Sequence, residues 1–308
     1  MNYEQLITET ALADERFVIM TAENRALVRN IPSHPILSKR FIDTGITEQT
    51  MIGMAAGLAL RGRVPIVHAL AAFLTMRAFE FIRTNVGIAN LPVKLTGFIP
   101  GLLSDGNGPT HQAIEDISIM RGIPHMQVFA PADEEDMLAM LPEIWCSSSP
   151  AYTRANLIKP IYQHDKNFEI GKAEVVSEGS TITFLVYGML FNNVFKAKEI
   201  LEAQGHSVGV VNMRSLKPVD EEAIIAATQQ SELTVIVEDH FQIGGLYSIV
   251  AEVLLKNQST TNVHSLSLHD NWFRPGRLNE VLEYEGFTPE KIAAQSIQVL
   301  ESTSKEKV

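Results

Sequence analysis

Short aliphatic, aromatic and β-branched runs alternate with helix-like stretches along almost the whole chain, in two successive series. In the first half the strand-like runs are 17–20, 64–67, 93–99, 127–129 and 151–154, with helical patterns at 73–85, 112–121 and 133–145. Strands alternating with helices predict a parallel sheet covered on both faces. A polar stretch at 159–180, containing Pro160, Gly171 and Gly179, interrupts this pattern and carries one short strand-like piece at 172–176. A second series follows, with strands at 181–187, 208–212, 233–238 and 263–268 and helices at 192–204, 220–229, 245–255 and 289–300. The expected fold is α/β, with one α/β domain over residues 1–165 and another over 178–308.

The bulk properties exclude several classes. A net charge of -11 over 308 residues argues against binding a phosphate backbone, which needs clustered Lys and Arg. No run of about 18 apolar residues occurs, so no membrane span is expected. The N-terminus is acidic and amphipathic rather than signal-like, and the single cysteine, Cys146, has no internal partner for a disulfide. A reducing cytoplasm is the expected setting.

Three segments carry chemistry. The first is Asp43-Thr-Gly-Ile46-Thr47-Glu48-Gln49, where a strand-like run ends at Gly45 and a helix begins behind Thr47, a suitable N-cap hydroxyl. Glu48 then sits at a strand-to-helix mouth, where α/β folds place ligands. The helix behind it carries Gly53, Ala56, Gly57 and Ala59. Each interior glycine costs roughly 1 kcal/mol against Ala, so a close helix neighbour is expected. Burial on such a lip would raise a carboxyl pKa; equally, Glu48 reads as an ordinary acid favouring the helix dipole. The second segment, 106–116, puts His111 behind a Gly- and Pro-rich loop, with Thr110 placed to cap a helix. His111 is either a proton shuttle beside a pocket or a surface histidine at a helix start. The third puts Phe73 at the corner after the 64–67 strand, either to stack on a flat heterocycle or to pack in the core. Dinucleotide, P-loop, zinc and nucleophile-elbow patterns are absent. Gly244-Gly245 before a helix reads as an anion site or, more simply, a tight turn.

Taken together, Gly-Ile-Thr-Glu48-Gln, Ala-Ala-Phe73, Gly-Pro-Thr-His111-Gln-Ala-Ile-Glu-Asp and Phe-Ala-Pro131-Ala-Asp133 resemble transketolases in order and approximate spacing. The second half agrees through Met213-Arg-Ser-Leu-Lys-Pro-Val-Asp220 and Val237-Glu-Asp-His240 with Gly244-Gly245-Leu246. The chain resembles the pyrimidine-binding and C-terminal domains of that family. The resemblance implies thiamine diphosphate as cofactor. It implies that the Glu48 carboxyl hydrogen-bonds N1′ of the aminopyrimidine and so promotes loss of the thiazolium C2 proton. It assigns Ile46, Phe73 and Phe79 to the cofactor with Glu48, Phe73 stacking on the pyrimidine. His111, Asn107 and Arg154 are assigned to the substrate, with His111 also catalytic and Arg154 holding the far, often phosphorylated, end.

The Gly-Asp-Gly…Asn segment that holds the diphosphate and Mg2+ in the family does not occur in these 308 residues. The resemblance is therefore to one subunit of a split transketolase. A partner N-terminal transketolase-like subunit is expected to carry the Mg2+ ligands, and two copies of this chain to pair within an α2β2 heterotetramer. The sequence also departs from the family. Ile99 stands where a phosphate-contacting His is usual, Asn107 replaces a hydroxyl-binding Asp, and the N-terminal Arg and Ser are not evident. Losing one charge-assisted donor weakens an anion site by roughly 1.5–3 kcal/mol, which points to an atypical, sugar-like substrate, non-phosphorylated or carboxylated. The alternatives are the β subunit of a 2-oxoacid dehydrogenase E1 component and a non-catalytic partner subunit of the same fold. Gly-Pro-Thr-His111-Gln weighs against the first, and retained Glu48 and Phe73 against the second.

Overall fold

Runs buried along their whole length form the centre of two sheets, as parallel strands covered on both faces require. The structure, a computed structural model, describes residues 1–306. The first half contributes β1 (Phe17–Thr21), β2 (Phe41–Asp43), β3 (Val64–Leu70), β4 (Lys94–Phe98), β5 (Gln127–Phe129) and β6 (Ala151–Ala155). The second contributes β7 (Glu174–Ser177), β8 (Ile182–Val186), β9 (Val208–Asn212), β10 (Ser215–Lys217), β11 (Leu233–Phe241) and β12 (Val263–Leu268). The seven-stranded sheet runs β10-β5-β6-β4-β3-β1-β2, and the five-stranded sheet β12-β11-β8-β9-β7. Both are parallel except at one edge each, where β10 lies antiparallel on β5 and β7 antiparallel on β9.

The sequence does not announce β10, a three-residue strand of the second half that completes the first half's sheet. It is held by partners remote in sequence: the Lys217 ammonium donates to the carbonyls of Arg121 (2.8 Å) and Ile123 (2.6 Å). One apolar core accordingly runs across both halves, from Met20, Val67 and Leu95 to Leu185, Val211 and Ile236.

Two expected helices differ. The 73–85 stretch is not a continuous α-helix. It is two wide π-type turns, Phe73–Arg77 and Ile82–Gly87, around the short Phe79–Phe81 turn. Such widened turns frequently mark functional positions. The 112–121 helix shrinks to Asp116–Arg121, because the Gly101 amide bonds the Ala113 carbonyl at 2.9 Å and keeps that residue extended. Two helices were not expected from the sequence: Tyr3–Ala13, opened by a reciprocal cap between Asn2 and Gln5, and Leu278–Tyr284. Among the described residues no helix is long and apolar enough to cross a membrane.

The polar connector is pinned between the halves. His164 is buried, with Nε2 3.0 Å from Asp133 of the first half and Nδ1 2.7 Å from Glu174 of the second. The Asn212 amide bridges Asp136 and Glu174 (2.9 and 3.0 Å), and Arg214 donates to Asp136 (3.0 Å). Burial disfavours the His164 cation, but the bonds to Asp133 and Glu174 outweigh it and raise the imidazole to about 10. A cation held above its unfolded value stabilises fully below the unfolded pKa, near 6.5, and loses that contribution as pH rises through about 10. His164→Gln should therefore cost about 3 kcal/mol at pH 6, as for a broken buried pair. Urea unfolding should show the gap between wild type and variant closing as the pH approaches 10; a pH-independent gap would contradict the ionic role.

Candidate active site

Four strand ends of the first sheet meet at one rim. Glu48 opens the Glu48–Leu60 helix directly behind β2. The turn before it is set by Asp43, whose carboxylate accepts from the amides of Glu23 (2.9 Å) and Gly45 (3.0 Å) and from Arg25 (2.8 Å). Partial burial pushes the Asp43 carboxyl up, but Arg25 and the two amides hold it below the usual carboxylate range. Gly45, at φ 68, takes the left-handed turn that a side chain would resist. Thr47 does not cap the helix as expected: its hydroxyl donates to the Thr44 carbonyl at 2.8 Å instead.

Glu48 is buried at 2% exposure, and its Oε2 accepts from Arg77 at 2.8 Å. Phe73, at the start of the first wide turn beyond β3, is half-buried. Its ring meets the His111 ring edge-on, with centroids 5.0 Å apart, and the Arg77 guanidinium lies 4.2 Å from its centroid. The structure thus gathers Glu48, Phe73 and His111 through Arg77, a residue that sequence reasoning left unassigned. Its four-residue spacing from Phe73 was the only available signal. Ile46 lies on the lip at 68% exposure, and Phe79 packs partly buried against the core.

The 99–108 loop beyond β4 is backbone-strained. Ile99 (φ 48), Gly101 (φ 58), Asp105 (φ 53) and Gly108 (φ 73) all take left-handed conformations. For a β-branched residue such as Ile99 this is a true outlier, of a kind that clusters at functional sites. His111 follows in a turn with Nδ1 2.9 Å from the Thr110 hydroxyl, so Thr110 is a partner of the imidazole and caps no helix. Beside it, Gln112 is buried with its Oε1 lacking a partner. Asn107 is exposed, and its amide closes the loop onto the Ser104 carbonyl at 2.9 Å.

Arg154, which the resemblance assigned to the far end of the substrate, has its donors engaged within the chain. It is buried at 1% exposure, and its donors are committed to Asp116 (3.0 Å), Asp239 (2.7 Å) and the Ala113 carbonyl (3.1 Å). It joins the β6 end to the β11 end, beneath the loop that carries His111. The Gly244-Gly245 anion site is likewise filled from within. Glu238 accepts from the Leu246 (2.6 Å) and Tyr247 (3.1 Å) amides at the start of the Leu246–Lys256 helix. Burial pushes that carboxyl up to about 8 against those bonds. Burial also lowers His240 to about 4. Asp136, His164 and Glu174 bring ligand-type atoms within 4.8 Å of one another, yet each of these side chains already has protein partners.

A buried carboxylate, an aromatic ring and an imidazole at the ring edge thus lie at one parallel-sheet rim, with the Arg77 guanidinium between the carboxylate and the ring. The chain belongs to the transketolase family: residues 2–155 match "Transketolase, pyrimidine binding domain" and residues 171–292 match "Transketolase, C-terminal domain". It is 34% identical over 302 residues to the 6-deoxy-6-sulfo-D-fructose transketolase subunit SqwH of a Clostridium species, covering 97% of this chain and 93% of that one. It is 27% identical to one subunit of the apulose-4-phosphate transketolase of Phocaeicola vulgatus, over 96% of both chains. A solved split-gene transketolase, an inactive beta4 tetramer, superposes with a TM-score of 0.84 at 31% identity, covering 97% of this chain and 96% of that one.

The buried position of Arg154 has a measurable consequence. Arg154→Ala leaves Asp116 and Asp239 without their cation and should destabilise the fold by roughly 3–5 kcal/mol. A melting temperature equal to wild type would return Arg154 to a purely substrate-facing role.

Proposed function

We propose that this chain is the pyrimidine-binding subunit of a cytoplasmic, thiamine-diphosphate-dependent transketolase that moves a two-carbon ketol unit between sugar-like substrates. The observation that carries this is the convergence of Glu48, Phe73 and His111. The slot suits the group: a flat cation already lies on the Phe73 face and bonds the buried carboxylate. When bound, thiamine diphosphate supplies a carbon nucleophile and an electron sink. In this reading Glu48 holds a proton toward the aminopyrimidine, Phe73 stacks on that ring, and Ile46 and Phe79 complete the wall. His111 moves protons at substrate oxygens, and Asn107 takes a substrate hydroxyl after leaving Ser104.

The diphosphate and Mg2+ fall to a partner N-terminal transketolase-like subunit, since no Gly-Asp-Gly…Asn segment occurs here. Pairing of two copies is supported by the Glu48–Leu60 helix. At Gly53 and Gly57 nothing beyond the helix's own adjacent backbone comes within 4 Å of where a Cβ would stand, and Leu60 on the same helix is 70% exposed. In this reading another copy supplies the helix neighbour expected from these glycines.

Reconstitution with such a partner, thiamine diphosphate and Mg2+ tests the assignment. Glu48→Gln should fold normally yet slow C2 hydrogen–deuterium exchange of the bound cofactor by orders of magnitude; exchange near the wild-type rate would rule the role out. The substrate is inferred to be non-phosphorylated or carboxylated at its far end. The Ile99 wall is apolar and Arg154 is engaged, and a phosphate dianion against such a wall meets a desolvation cost of several kcal/mol. kcat/KM near about 10⁵ M⁻¹s⁻¹ with xylulose 5-phosphate and ribose 5-phosphate would sink that inference. Ile99→His should shift preference toward the phosphorylated sugars.

A further inference from the structure

Arg77 makes two contacts with one flat group. Its Nη1 donates to the buried Glu48 Oε2 at 2.8 Å, and its guanidinium carbon lies 4.2 Å from the centroid of the Phe73 ring. A carboxylate and an aromatic face are the two contacts that a bound aminopyrimidine would require. Two planar groups cannot hold both at once. We propose that Arg77 is a built-in placeholder, which occupies the pyrimidine position between Glu48 and Phe73 and leaves it as the cofactor ring enters. This rests on reading Glu48 and Phe73 as the cofactor slot.

The two partners differ in their freedom to move. The Arg77 side chain is 39% exposed, whereas that of Glu48 is 2% exposed. A guanidinium on a flexible stem can swing into water and be solvated there. A buried carboxylate left alone is costly. Arg77 therefore leaves only as the ring arrives, and the Glu48 carboxyl then shares a proton with the ring nitrogen. The wide Phe73–Arg77 turn sets the ring and the guanidinium on one turn of backbone, so ring and placeholder are built from a single element. Apparent affinity for the ring is reduced by the fraction of chains in which the slot is filled.

The test uses the full chain and thiamine, which has the aminopyrimidine but no diphosphate. Calorimetry should show tighter binding to Arg77→Gln and Arg77→Ala than to wild type, by about tenfold if the filled slot dominates by that ratio. Arg77→Gln keeps a neutral donor beside Glu48, so it guards against loss of fold in the Ala variant. In wild-type ¹H–¹⁵N spectra the Arg77 Nε–H signal, identified by its loss in Arg77→Gln, should be ring-current shifted. It should move to a solvent-exposed position on adding thiamine. Unchanged or weaker thiamine binding in both variants, binding undetectable in every form, or an Nε–H signal that stays shifted at saturation would each overturn the proposal. Phe73→Ala in the Arg77→Gln background separates the two layers. Lost binding there upholds the slot itself even if the placeholder fails, whereas unchanged binding removes the slot reading beneath it.

Discussion

A single guanidinium, buried where the two sheets meet, sets the floor of the site. Arg154 comes from the end of β6, Asp116 from the helix behind His111, and Asp239 from β11 of the second half. Taking one cation and two carboxylates out of water is expensive, and the arrangement survives only because nearly every donor is matched: Tyr152 adds a 2.6 Å bond to Asp116, and Ala113 accepts from Arg154. The node also dictates the backbone above it. A Cβ at Gly101 would land on the Asp239 carboxylate, so only glycine lets the 99–108 loop lie that close. The loop is tied again at its far side, where the Asp105 carboxylate accepts from the Leu278 amide. Strain at Ile99 and Asp105 is tolerated because both ends of the loop are anchored, and His111 inherits a defined place against Phe73.

What was legible in the sequence follows from the range of the forces involved. The buried strands of both sheets stand near their expected positions, because continuous apolar runs report burial locally. The corner residues Glu48, Phe73 and His111 were legible as types at loop–helix junctions, and the structure brings them together. Local grammar failed where a distant partner decides. Thr47 and Thr110 have the chemistry of caps, but Thr44 and His111 offer their hydroxyls competing bonds. β10 is too short to show periodicity and exists because β5 has a free edge. The widened turns at Phe73–Arg77 and Ile82–Gly87 leave no trace in a helical pattern. Arg154 was assigned to substrate through the resemblance alone; nothing local says that Asp239, 85 residues away, will claim it.

The halves are joined by charge as much as by apolar contact. His164 comes from the connector and is held by one carboxylate from each side, while Asn212 and Arg214 reach back to Asp136. Asp133 does double duty, since its other oxygen accepts from the Asp136 amide at the start of the Glu134–Cys146 helix. A connector bound at both ends keeps the β11 end, and so Asp239, in register with Arg154. The clamp and the Arg154 node thus depend on each other: each fixes the relative placement that the other needs.

The same economy of internal charge bears on what the site can recognise. Among the described residues, the three places considered as anion sites are each already engaged. The helix N-terminus at Leu246 is satisfied by Glu238. The Arg154 guanidinium is divided between two aspartates. Arg77 is the exception in mobility, since its partner is buried but its own side chain reaches solvent. Once displaced from the slot, it would be a free cation beside the substrate corner. Entry of a neutral or cationic ring at Glu48 would therefore release a positive charge toward the mouth in the same step. If the ring enters there as proposed, this would couple its binding to attraction of an anionic or electron-rich substrate, through Coulomb forces that fall off over about 8–10 Å at physiological salt. An apolar Ile99 wall would then leave the charged end of a substrate to be read at the mouth or by a neighbouring chain, rather than in the depth of the pocket.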